Sequence, residues 1–155
     1  MVMSKPGIPL EWVPTLARRY ATTVIDGFLV FAAVAVSTAL LPADDTVARP
    51  ARVAIAVAAV LLYEPLCTGR FATLGQWVMA VRVRRFDNGE RLGVARAFAR
   101  IVAKVILGII SFLVLPFTRG RRALHDMASG SIVIMADAEM EFSRWASSRP
   151  PATEP

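Results

Sequence analysis

Long apolar runs separated by short basic ones form the dominant pattern of this chain. Residues 19–41 contain no charged residue after the initial arginine except Asp26. At 1.5 Å per helical residue, such a run crosses the roughly 30 Å hydrocarbon core of a bilayer. Residues 51–71 form a second run, which stays apolar from its third residue up to Glu64. The pattern therefore predicts two transmembrane helices, and Pro65 predicts a kink in the second one.

A third apolar segment, residues 101–117, leaves two interpretations open. Lys104 limits its uninterrupted part to thirteen residues, which is the length of re-entrant or interfacial segments. The strongly basic sequence that follows it favours the cytoplasmic side. Gly108 and Ser111 are suited to a bend. We therefore expect a re-entrant segment or shallow hairpin, with a full span as the alternative.

The sequence between the second and third apolar runs is rich in arginine and short of acids, which predicts a cytoplasmic location. Residues 81–86 alternate apolar and basic side chains and lead into an Asn-Gly pair, a pattern typical of a strand and a tight turn. The β-prone residues 131–135 are a candidate partner strand. Residues 91–100 predict an amphipathic helix lying on the anionic inner leaflet.

These elements predict an all-α membrane protein with a short cytoplasmic strand pair and an interfacial helix. We divide it into a peripheral segment (1–14), a membrane domain (15–136) and a polar tail (137–155). The tail is expected to hold one or two helical turns and then to become disordered. The first ten residues lack the apolar core of a signal peptide, so the first helix is expected to be the anchor.

Composition narrows the function classes. The chain has 155 residues, is 55% hydrophobic, and carries 18 basic against 12 acidic residues, a net charge of +6. The basic residues flank apolar runs and do not form an aromatic-studded surface, so we expect no nucleic-acid partner. The single cysteine, Cys67, and the single histidine, His125, provide no internal disulfide and no metal-ligand cluster. We also find no catalytic constellation or phosphate loop, and expect neither an enzyme nor a cofactor.

Two acids inside the apolar runs are the main candidates for chemistry. Asp26 and Glu64 are expected at similar depths, where two carboxylates cannot both remain ionised without a cation. A proton or Na⁺ could then exchange at this pair. The alternative is structural: Asp26 pairs with an arginine such as Arg19, Arg70 or Arg122, while Glu64 is protonated or caps the broken backbone.

Three sequence signals, in order, resemble the RDD family of small bacterial membrane proteins. They are ARRYATTVIDGF, then LLYEPLCTGRFATLGQWVMAVRVRRFDNGERLGVARAFAR, then GRRALHDMASGSIVI. The resemblance covers roughly residues 15–135 and places the family's arginine and two aspartates on Arg19, Asp26 and Asp126. A Thr-x-Gly turn matches Thr73 to Gly75, whereas Gln76 replaces the usual lysine.

The resemblance implies a membrane protein of the bacterial cytoplasmic membrane, for which two roles stay open. One is ion-coupled transport or cation/proton exchange by an oligomer, as proposed for the family. The other is a non-catalytic accessory or assembly subunit of a larger complex. The basic N-terminal flank places the amino terminus in the cytoplasm.

Smaller roles are expected for the residues around these acids. Asp126 is expected to clamp the basic loop against the helix ends. His125 is expected to be packed or solvated, with titration near neutral pH as the alternative. Four arginines are candidates for contact with anionic lipid headgroups, and the alternative is that they only fix the topology. These are Arg82, Arg84, Arg85 and Arg96.

Overall fold

A helical hairpin is the largest feature of the computed structural model, which describes residues 8–41, 46, 48–108, 110–118 and 121–148. Helix α1 spans Leu16–Leu40, and the Thr15 hydroxyl caps its first turn. After residues outside the described part, α2 spans Ala48–Leu61 and packs against α1. The second arm of the hairpin continues beyond α2 to Arg70. The two candidate spans of the hairpin, Leu10–Leu40 and Ala48–Arg70, are long and apolar enough to cross a membrane, as predicted.

The second membrane-length helix is broken at Leu62, where α2 ends and α3 (Tyr63–Arg70) begins. Pro65 therefore occupies the first turn of α3, where its missing N–H has no helical acceptor to serve. The predicted irregularity exists, but it lies just before Glu64 instead of just after it. The break allows Tyr63 and Glu64 to reach different neighbours.

Three short elements follow the hairpin: α4 (Leu74–Val78), β1 (Val81–Arg85) and then α5 (Val94–Leu107). Helix α5 packs on α3 and on α7 (Leu124–Ala128). It extends through position 101, so the predicted boundary between a surface helix and the third apolar segment is wrong. Its buried residues, Ala97, Arg100 and Ile101, share one helical face. The face that was expected to lie on lipid headgroups is therefore turned into the protein at Arg100.

The third apolar segment is not one helix. Helix α5 ends at Leu107, and its C-cap, Gly108, has a φ of 50°, a conformation that glycine adopts without strain. A short helix α6 (Ile110–Leu113) and a 3-10 turn (Leu115–Phe117) follow. Within the described residues only the two helices of the hairpin have the length and apolarity of a span. The helix end predicted at Gly108 is present, and the described residues of this segment do not form one continuous helix.

The predicted strand pairing is confirmed. Strand β2 (Ser131–Met135) runs antiparallel to β1, with Val83 opposite Val133. One face of the sheet packs its valines against α5, and the other packs Ile132 and Ile134 against α8 (Glu139–Ser147).

Helix α8 belongs to this packed structure, because Phe142 is completely buried on the sheet. The predicted helical turns after residue 137 are thus present. Disorder was predicted from residue 147, but Ser147 still belongs to α8. Residues 149–155 lie outside the described residues, as does the first half of the N-terminal segment. From Ile8 onward that segment is described, and Ile8 and Trp12 pack beside α8.

Candidate functional site

Asp26 of α1 is bound to the amino-terminal end of α4. Its carboxylate accepts hydrogen bonds from the Thr73 hydroxyl at 2.6 Å, the Gly75 backbone N–H at 2.8 Å and the Tyr63 hydroxyl at 3.1 Å. The Thr73 hydroxyl in turn accepts from the backbone N–H of Gln76 at 3.2 Å, which caps α4. None of the hydrogen bonds or ion pairs described for Asp26 involves an arginine, so the pairing with Arg19, Arg70 or Arg122 is not observed.

Only glycine fits at position 75. A Cβ added there would lie 2.9 Å from the Asp26 carboxyl carbon and would also meet the Thr22 backbone carbonyl. The close approach of Gly75 to the Asp26 carboxylate gives a physical reason for a Thr-x-Gly turn opposite an aspartate within a helix. The threonine provides a hydroxyl donor, and the glycine allows its backbone N–H to reach the carboxylate.

Arg19 and Asp126 form a buried ion pair that joins the start of α1 to α7. Arg19 also donates to the Arg121 carbonyl, and Asp126 accepts from the Ala123 backbone N–H at 3.0 Å. Burial disfavours the charged carboxylate, yet the guanidiniums of Arg19 and Arg100 outweigh burial. They hold the pKa of Asp126 well below its ordinary value. Asp126 therefore has the geometry of the predicted clamp.

Arg100 connects this pair to the second intrahelical acid. Its Nε donates to Asp126 at 3.0 Å, and its Nη1 donates to Glu64 at 3.0 Å. The other Glu64 oxygen accepts from the Lys104 Nζ at 2.7 Å. Glu64 is thus doubly ion-paired and does not cap the broken backbone at Leu62.

We call these six charged residues the charge network: Arg19, Asp26, Glu64, Arg100, Lys104 and Asp126. The three basic groups balance the three carboxylates. Glu64 has the positive charges of Arg100 and Lys104 as its partners, whereas the partners of Asp26 are two hydroxyls and a backbone N–H.

Asp26 and Glu64 line one small cavity of about 30 Å³, together with Gln76. The volume corresponds to about one water molecule. The Gln76 side-chain nitrogen donates to the Thr68 hydroxyl at 2.8 Å, while its Oε1 is buried with no hydrogen-bond partner among the described residues. The two acids, which were expected at similar depths, thus border one cavity, but each carboxylate has its own partners.

His125 is a neutral part of this structure and not a sensor of neutral pH. Its Nδ1 lies 2.6 Å from the Ser111 hydroxyl. Burial, with the positive charges of Arg100 and Lys104, lowers the pKa of His125 to about 3, and Asp126 offsets this only in part. The structure therefore agrees with a packed histidine and not with the alternative of a pH sensor.

The four arginines predicted to bind lipid headgroups have different surroundings. Arg84 is buried and bound to Glu139, so its guanidinium is not available to a headgroup. Arg85 pairs with Asp87 at 2.6 Å. Arg82 is partly exposed on β1, and Arg96 is exposed on α5. Arg96 also lies 3.6 Å from the Asp87 carboxylate, so Arg82 is the one of the four without an ion pair among the described residues, and headgroup contact stays a prediction for it.

Sequence reasoning did not identify Arg100 and Lys104 as partners of Glu64. Their four-residue spacing places both on the face that carries Ala97 and Ile101, and this periodicity was the available signal. No group of three or more His, Cys, Asp or Glu residues in the described parts of the chain is placed to hold a metal ion.

The helical hairpin and the charge network define the class of protein: a small, mostly helical membrane protein with charged residues buried against its two spans. The sequence pattern of the RDD family matches residues 13–130, so the chain belongs to the RDD family. No curated protein and no solved structure matches the chain.

Proposed function

We propose that this protein is a non-enzymatic accessory or assembly subunit of a larger complex in the bacterial cytoplasmic membrane. In this role the charge network fixes the shape of the subunit, and the outer surface of α1 contacts a second copy or another membrane protein. The observation that carries the proposal is that every carboxylate of the network already has protein partners.

The many protein partners of the network support an architectural role. An ion carrier needs carboxylates that can bind the transported ion and then release it. Glu64 could bind Na⁺ only after losing Arg100 and Lys104, which would leave two basic groups buried without a partner. At Asp26 a cation would compete with the hydrogen-bond donors that attach α4 to α1. Binding at either acid would therefore disturb contacts that hold these elements together.

The surface of α1 provides the contact. Tyr20, Val24, Phe28 and Phe31 lie on one exposed stripe, on the side of the helix away from Asp26. Such a stripe is suited to lipid or to the helix of a partner. Two spans cannot by themselves enclose a polar path.

For topology, the proposal places the amino terminus, the strand pair and α7 in the cytoplasm, with residues 101–117 as a re-entrant or interfacial segment. Excess arginine near the ends of the hairpin supports this orientation. A reporter fused after Arg122 tests it. A cytoplasmic signal is expected, and an external signal would overturn both the orientation and the re-entrant assignment.

The oligomeric role is tested on native gels of membranes solubilised in mild detergent. Wild-type protein should migrate in a complex larger than one chain. A Phe28→Ala/Phe31→Ala variant should release the monomer, whereas Val53→Ala/Val57→Ala on exposed positions of α2 should not. Recovery of the monomer alone at every salt and detergent condition would refute the proposal.

Cation/proton exchange is the second candidate, and one observation favours it. Asp26 and Glu64 line the same cavity, which is also lined by Gln76, whose Oε1 has no hydrogen-bond partner among the described residues. These oxygens are the type of ligand that Na⁺ prefers. An oligomer would still be needed to enclose a path between the spans.

Exchange is tested with the purified oligomer in proteoliposomes under an imposed pH gradient. An exchanger should dissipate the gradient when Na⁺ or K⁺ is added, and Asp26→Asn or Glu64→Gln should abolish this. Glu90→Gln is the matched control, since its side chain is 69% exposed and outside the cavity. No dissipation by the wild type would exclude exchange.

A further inference from the structure

A second, larger concavity lies outside the charge network. It is an open groove of about 600 Å³ between α1, the α3–α4 connection and β1. Its volume falls within the range of small-molecule sites. Its wall has an apolar part and a basic part, and these two parts determine what it can bind.

The apolar part continues the membrane-facing surface of the hairpin. Trp77 and Phe71 line it with 68% and 73% of their surface exposed, which is unusual for aromatic residues of an ordered core. Leu29 of α1 also lines it, three residues further along the first span than Asp26. The apolar part of the groove therefore includes a residue of a membrane-length helix.

The basic part consists of Arg82 and Arg91. Arg82 donates to its own strand at the Val81 carbonyl, and Arg91 donates to the Arg70 carbonyl at 3.2 Å. The Arg91 guanidinium also lies 5.9 Å from the centre of the Phe71 ring. Among the ion pairs of the described residues none includes Arg82 or Arg91.

The remaining charges of the wall cancel, because Arg84 is bound to Glu139. The groove thus has a net charge of +2 in its basic part, while its other part is apolar. This combination complements an anionic headgroup joined to a hydrocarbon chain, and neither a free inorganic anion nor a neutral lipid matches both parts.

We propose that the groove binds one anionic glycerophospholipid. Its phosphate lies between Arg82 and Arg91, and an acyl chain follows Trp77 toward Leu29. The proposal rests on the membrane location in the proposed function but not on the accessory role, because one chain in a bilayer forms the whole groove.

The experiment uses the full chain in nanodiscs of phosphatidylcholine containing a small fraction of brominated lipid, which quenches nearby tryptophan. The signal of Trp77 is the difference between the wild type and Trp77→Phe. Brominated phosphatidylglycerol should quench this signal several-fold more than brominated phosphatidylcholine at the same mole fraction. Equal quenching by the two lipids would overturn the proposal, and this comparison requires no variant in the basic part.

Charge variants then locate the headgroup. Arg82→Gln and Arg91→Gln should each weaken the apparent affinity for phosphatidylglycerol about fivefold, the effect of one basic residue at a membrane surface. Arg85→Gln/Arg96→Gln removes two charges away from the groove and should preserve the preference. An equal loss of affinity for phosphatidylglycerol in the groove variants and in the control variant would mean that a diffuse surface charge attracts the lipid. This result would refute the site.

Free phosphate is the remaining occupant to distinguish. Millimolar inorganic phosphate, with chloride at matched ionic strength as control, should leave the quenching by phosphatidylglycerol unchanged. Selective reversal by phosphate would show that the groove recognises the anion without its chains, which would overturn the lipid assignment. A monomer on native gels would remove the accessory role and leave these results standing.

Discussion

The Arg19 guanidinium is bound to the Asp126 carboxylate, 107 positions later in the chain, and both side chains are buried. This contact unites the first and last charged residues of the family motif. The middle residue, Asp26, is bound instead to the turn that begins α4. The motif therefore describes two separate attachments of α1 to the rest of the fold.

Replacing Asp126 with asparagine should strongly destabilise the protein. The variant leaves Arg19 and Arg100 buried without their shared carboxylate, a change that costs about 3–5 kcal/mol. The apparent melting temperature in detergent should fall, on the order of 10 °C. Asp137→Asn, at an exposed position, should leave it unchanged. A small and equal effect of both variants would contradict the clamp.

Acid should destabilise the protein in two stages. The folded state holds His125 neutral, so the unfolded state binds the extra proton and stability falls as pH drops below about 6.5 toward 3. The depressed pKa of Asp126 adds a contribution that is present above about pH 4 and is lost as pH falls further.

The single histidine makes the first stage measurable by NMR. Its imidazole resonances in the folded protein should not titrate between pH 5 and 8, because its pKa lies at about 3. A titration midpoint near neutral pH would show that the ring is accessible and charged, contrary to its burial against Ser111. His125→Gln should make stability less dependent on pH between 6.5 and 4.

Gly75→Ala should loosen the attachment of α4 to α1. The added methyl group meets the Asp26 carboxyl carbon, so either the turn or the carboxylate must move, at a cost of about 1–3 kcal/mol. Hydrogen–deuterium exchange of the α4 amides should become faster. Gly27→Ala, where a Cβ meets nothing within 4 Å, is the matched control and should be neutral or slightly stabilising. Equal behaviour of the two variants would refute the close approach.

Truncation of Phe142 tests whether α8 belongs to the folded unit. Phe142→Ala removes a fully buried ring from the sheet and should cost about 3–5 kcal/mol. Met140→Ala, on the same helix with 71% exposure, should cost little. Chemical denaturation followed by tryptophan fluorescence provides the comparison, and similar midpoints would mean that α8 is not packed as described.

Periodicity and charge predicted the parts of this fold that depend on local sequence. The hairpin follows from two uninterrupted apolar runs, and the strand pair from alternation around an Asn-Gly turn. Local sequence did not predict the surroundings of α5. Its pattern of arginine and apolar residues is compatible with a helix on a lipid surface and with a helix in a protein interior. Burial of Arg100 depends on Glu64 and Asp126, which are distant in sequence.

The candidate site shows the same division. Both intrahelical acids were recognisable from the cost of a charge in hydrocarbon, but their partners were not. Glu64 is satisfied by Lys104, forty positions later, and Asp26 mainly by a turn that carries no charge. The sequence analysis considered only charged partners for Asp26 and therefore favoured an arginine. Backbone N–H groups and hydroxyls, which are uncharged, can also donate hydrogen bonds to a carboxylate.

The attachment of Asp26 also dictates an order of events during synthesis. Two of its three hydrogen-bond donors, Thr73 and Gly75, are translated after both spans. In a nascent chain that has completed only the hairpin, this carboxylate therefore lacks two of its three hydrogen-bond donors. The first span can reach its final hydrogen bonding only after the ribosome has synthesised the turn that begins α4.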